Sequence, residues 1–171
     1  MVKRDKQPRS KSGVDVNTGV DAYLRLVPIP GITNDEGFPH KVRALQIGVR
    51  CKALEELKKW GRSSPQEARR ILGKLKLMAE TVDELHLKTV KRVGKRKQIV
   101  EVKAENARLF CFYEGELRTY TIICLDTFWI GSGNKKSKQS DAITRAEELM
   151  DRWQNAHPVV GLPDVRIESK G

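Results

Sequence analysis

Cysteine is scarce in this chain: there are three, Cys51, Cys111 and Cys124, and no two form a C-x-x-C pair. An odd, scattered set provides neither a disulfide framework nor a thiolate zinc cluster. Cys111 and Cys124 fall in apolar segments, where a thiol behaves as a small hydrophobe. Histidine is equally sparse. His40, His86 and His157 lie far apart without the spacing of metal ligands, so no metal and no cofactor is expected. No apolar run approaches the roughly 18 residues of a membrane span. The basic start, MVKRDKQPRSKSG, leads into no apolar stretch of the kind a secretory signal carries. The expectation is a cytoplasmic protein without a membrane partner.

Acidic residues are also short in supply. Against 33 Lys+Arg there are 22 Asp+Glu, a formal net charge of +11. Such an excess draws polyanions, and counterion release from phosphates makes RNA or DNA the commonest of them. A solvated basic surface that only aids solubility is the alternative. Apolar residues are nonetheless plentiful, at 39% of 171 residues, enough for one domain with a core.

Three parts are expected: an N-terminal extension over residues 1–40, partly disordered, a domain over 41–155, and a tail over 156–171. Within the extension, the apolar piece from Tyr23 to Ile29 reads as a short strand or extended arm interrupted by Pro28. Val42, Ala44, Leu45 and Ile47 suggest a strand. Ala53, Leu54, Leu57 and Trp60 then fall on one helical stripe that Gly61 is expected to end. A second helix follows Ser64, an N-cap candidate, with Pro65 at its first position and Glu67 placed to close a capping box. Ala68, Ile71, Leu72 and Leu75 carry its stripe to about Glu80, so the two make a helical hairpin.

The next stretch, to residue 97, reads as a connector. From Lys88 to Lys103 there are seven basic residues and one acid, Glu101. Lys95, Arg96 and Lys97 are candidates for a phosphate-binding rim beside the sheet; a solvated loop is the alternative. Three antiparallel strands follow, over about 98–104, 107–114 and 117–128. The middle one is apolar on both faces except at Arg108. The loop WIGSGNKKSK comes next, then a helix capped by Ser140, with Ile143, Ala146, Leu149, Met150 and Trp153 on its apolar stripe. GSGNKKS lacks the glycine directly before lysine that a phosphate-binding loop of nucleotide-triphosphate enzymes needs. The fold class expected is α+β: a small antiparallel or mixed sheet, a helical hairpin packed on one face, and a C-terminal helix.

Three pieces, IVEVKAENARLFCFYEG, IICLDTFWIGSGNKK and ITRAEELMDRW, in this order and spacing, resemble the RelE/HigB-type toxins of bacterial toxin–antitoxin systems, and among them the phage-derived Gp49-like branch. The resemblance covers about residues 41–155. Six residues, Trp129 to Asn134, separate the aromatic end of the last strand from Lys135 and Lys136, where the family passes almost directly. The resemblance implies a sheet with helices on one face and a metal-independent endoribonuclease. Its substrate would be mRNA, often on the ribosome, and its partner a neutralising antitoxin.

In that chemistry the ribose 2′-OH attacks the adjacent phosphorus and the 5′-oxygen leaves. The protein must accept a proton, supply one, and stabilise charge on the phosphorane. Arg108 suits the last task, because a guanidinium stays charged and spans two phosphate oxygens. Glu101 is the candidate base, and Lys103 a phosphate clamp or proton carrier. Lys97 could share that work, with Lys135 and Lys136 on the leaving side. Trp129 is a candidate base-stacking platform. Each has a structural alternative: Arg108 in an ion pair with Glu101 or Glu105, Glu101 as a solvated edge residue, Trp129 as a loop anchor. The competing function is a non-catalytic phage-derived protein of the same fold that binds nucleic acid or another protein.

Overall fold

The computed structural model describes residues 23–32, 37–81, 90–116, 119–131 and 136–157. Its elements, in chain order, are β1 (Leu24–Pro28), β2 (Lys41–Ile47), α1 (Lys52–Ser63), α2 (Pro65–Glu80), β3 (Val90–Val93), β4 (Ile99–Lys103), β5 (Ala107–Glu116), β6 (Thr119–Trp129) and α3 (Lys136–Ala156). The fold is α+β. The strands form one sheet in the order β1-β2-β6-β5-β4-β3, antiparallel throughout except where β2 runs parallel to β6.

Side-chain alternation divides the sheet into two apolar faces. Val42, Ala44, Val100, Val102, Leu109, Cys111, Ile122 and Cys124 face the hairpin of α1 and α2, meeting Leu57, Trp60, Ile71, Leu75 and Met78. Leu45, Ile99, Phe110, Phe112, Ile123 and Leu125 face α3, which lays Ala142, Ala146, Met150 and Trp153 upon them. The helices therefore cover both faces, where the family resemblance implied one. The reason is legible in β5: residues on both sides of that strand are apolar, and both need cover. Cys111 and Cys124 lie opposite each other on β5 and β6 as buried free thiols, with their sulfurs 3.3 Å apart.

Several boundaries differ from expectation. The folded unit begins ahead of residue 41, because β1 pairs with β2. α1 runs through Gly61 to Ser63, since the stop is set by Pro65: the residue before a proline is pushed out of the helical region, and Ser64 sits at φ −148. Ser64 makes no side-chain cap, and Glu67 closes no capping box; its carboxylate turns elsewhere. α3 starts at Lys136, so Ser140 lies inside it, its carbonyl accepting a hydrogen bond from Thr144. The basic connector contains β3, an edge strand whose Lys91 and Arg92 are exposed, a pattern that discourages edge-to-edge pairing.

Candidate nucleic-acid interface

The β4–β5 turn, residues 104–106, is where charge collects. Glu67 reaches it from α2: its carboxylate oxygens accept hydrogen bonds from the Asn106 and Ala107 amides, all at 3.2 Å. This carboxylate is buried, and the two main-chain donors explain why it can be. One and two turns further along the same helix come Arg70 and Lys74. Arg70 lies 3.6 Å from Glu105, and the Lys74 ammonium donates to the carbonyl of Lys103. From the strands, Lys103 stands directly opposite Arg108, and Lys103 is exposed.

Arg108 is committed to the turn. One guanidinium nitrogen donates to the carbonyls of Ala104 at 2.7 Å and Ala107 at 2.9 Å. Nε lies 3.1 Å from Glu101 Oε1, an ion-pair distance without the alignment of a hydrogen bond. The two side chains are only 11% and 8% exposed. Of the structural alternatives open in the sequence, the Arg108–Glu101 pair is the one formed, and Glu101 is buried rather than solvated.

The electrostatics of this corner are positive. The Lys74 pKa is lowered, first by burial and then by the charges of Lys103, Arg108 and Arg70, with Glu67 acting in the opposite sense. Neighbouring cations that push a lysine toward its neutral form leave a potential that an incoming anion would relieve.

The remaining predicted residues are not gathered here. Lys95, Arg96 and Lys97 form the β3–β4 turn at the far end of β4, about 20 Å from Lys103 at strand rise. They are tied to α3: Glu147 accepts from the Lys95 and Arg96 amides, and Arg96 pairs with Asp151 at 2.5 Å. Trp129 faces the hairpin side of the sheet, with its ring 6.0 Å from that of Trp60, and its indole fills the space a Cβ at Gly131 would need. It anchors the loop, on the face opposite Arg108. Lys135 lies outside the described residues, and Lys136 opens α3.

Arg70 and Lys74 were not picked out from the sequence, and Glu67 was picked out only for a capping box. Their signal was present: 67, 70 and 74 fall on one helical stripe beside the apolar one. A second charged feature was also missed. A bulge between the Phe110 and Cys111 positions turns Asp126 inward, where Lys52 at 2.6 Å and Arg145 at 3.1 Å hold it. It lies at the floor of a cleft of about 920 Å³. The cleft's four cations and four carboxylates balance, and Asp126 serves to tie α1 and α3 to β6. Among the described residues no three His, Cys, Asp or Glu side chains come together as a metal site, and no helix is long and apolar enough to cross a membrane.

No family model, curated protein or solved structure matches the chain.

Proposed function

We propose that this protein binds nucleic acid through its phosphodiester backbone, at the corner where α2 meets the β4–β5 turn, without cleaving it. The observation that carries the reading is geometric: Arg70, Lys74, Lys103 and Arg108 converge on that turn, with the Lys74 ammonium on the Lys103 carbonyl and Lys103 opposite Arg108. These four cations meet three carboxylates there, Glu67, Glu101 and Glu105, in a chain of net charge +11. Exposed Lys103 and half-exposed Arg70 are the groups available to touch phosphate. Arg108 acts behind them by fixing the turn. The test is fluorescence anisotropy with labelled RNA and DNA oligomers. The reading expects binding that weakens steeply with salt. Absence of binding at low salt overturns it.

A second reading is a toxin of the RelE type, a metal-independent endoribonuclease acting on mRNA and silenced by an antitoxin. The order strand, helical hairpin, antiparallel strands, C-terminal helix supports it. So does Lys74, which burial first, and then the charges of Lys103, Arg108 and Arg70, incline to give up its proton more readily than an ordinary lysine. The engagement of Arg108 with Glu101 and with the carbonyls of Ala104 and Ala107 weighs against it, since the guanidinium would have to leave those partners to meet a phosphorane. Induced expression separates the two. Growth arrest with cleaved transcripts favours the toxin; binding without either favours the first reading.

A further inference from the structure

Gly73 lies in the middle of α2, and a Cβ built on it would meet nothing within 4 Å. Glycine at such a position lowers helix stability relative to alanine. Two ordinary reasons for tolerating one are absent here. Its φ is not in the left-handed region, and no other part of the described chain packs over it. What surrounds it on the helix surface is charge. Arg69 and Arg70 stand one turn before it, Lys76 and Leu77 one turn after, and all four are exposed. Leu77, at 45% exposure, is one of three exposed large apolar side chains among the described residues. Arg70 and the neighbouring Lys74 belong to the positive corner at the β4–β5 turn.

We propose that Gly73 is a notch that admits a nucleic-acid backbone to the surface of α2. Arg69 and Arg70 hold phosphate on one side of it and Lys76 on the other, and Leu77 lies against a sugar or base. This rests on the binding reading above and extends it, because it gives the path of the strand: from the β4–β5 turn along α2. The middle of a helix has no spare main-chain donors, so the glycine contributes room and the flanking cations contribute affinity. From α1 through α2, residues 52–80, there are eight Lys or Arg against four Glu, one of which is the buried Glu67. That balance suits a polyanion.

The test compares wild type with Gly73→Ala and Gly73→Leu in the full chain. Both replacements are strong helix formers placed in open space, so both should raise the melting temperature, by roughly 2–4 °C. Binding should move the other way. Anisotropy with a fluorescein-labelled single-stranded RNA, a duplex RNA and a duplex DNA should show Gly73→Leu weaker by about tenfold on whichever probe wild type binds, with Gly73→Ala in between. A stabilised Gly73→Leu that binds every probe as wild type does overturns the notch while leaving the binding reading standing. Should Gly73→Leu not fold, an unchanged affinity for Gly73→Ala overturns it equally. Wild type that binds none of the three probes overturns both.

Discussion

Arg108 on β5 and Glu101 on β4 meet diagonally across the two strands, Nε to Oε1 at 3.1 Å, with 11% and 8% of their side chains exposed. A pair so nearly out of water is costly to break from one side, because the partner left behind keeps its desolvation penalty. Arg108→Ala should lower unfolding free energy by about 3 kcal/mol, with much of the loss recovered in the Arg108→Met, Glu101→Leu double variant. Urea denaturation measures both. A loss below about 1 kcal/mol would mean that the pair behaves as a surface contact. One consequence concerns any activity assay: loss of function in Arg108→Ala would mix a role at the site with damage to the fold. Exposed Lys103 is the cleaner position to substitute.

Glu67 fastens α2 to the sheet by accepting from the amides of Asn106 and Ala107. Glu67→Ala should cost about 2 kcal/mol, the range of hydrogen bonds to a charged group. Hydrogen exchange should accelerate at those two amides more than at the centre of β5. Unchanged protection there would place the turn's stability elsewhere.

His40 gives the protein an acid limit. Its ring is buried, stacks on Tyr120 at 3.6 Å and bonds through Nε2 to the Thr81 carbonyl at 2.8 Å. Burial lowers its pKa from 6.5, opposed by hydrogen bonds to the Thr81 and Tyr120 backbones. The neutral ring is thus favoured by folding, and the unfolded chain binds the proton more readily. Its contribution is complete above pH 6.5 and is lost as pH falls through the folded value. The urea midpoint should drop between about pH 7.5 and pH 5.5, and part of that drop should vanish in His40→Phe. An identical pH slope in the variant would assign the acid sensitivity to other groups.

Much of the fold was legible in the sequence. Val42, Ala44, Leu45 and Ile47 give β2, and Pro65 marks the start of α2 to the residue. The apolar pattern of β5 called for a central strand covered by helices on one side; it is central, but α3 covers its second face as well. What escaped depends on tertiary partners. Nothing local tells that Glu67 would spend its carboxylate on a turn about forty residues away rather than on its own helix end. β3 hid in a basic run because an edge strand needs only Val90 and Val93 turned inward, leaving Lys91 and Arg92 in water. Arg108 drew attention as a lone charge in an oily strand. That same oiliness is what binds it to Glu101 and the turn carbonyls.

If phosphates are held where α2 meets the β4–β5 turn, the cations of that corner set the salt dependence of binding. Arg70 and Lys103 sit at the solvent side of that corner, so the Arg70→Gln, Lys103→Gln double variant removes two charges without opening the core. Plotted as log Kobs against log salt for duplex DNA, the variant's slope should be shallower than wild type's by roughly 2. Wild-type affinity with an unchanged slope would mean that this corner holds no phosphate.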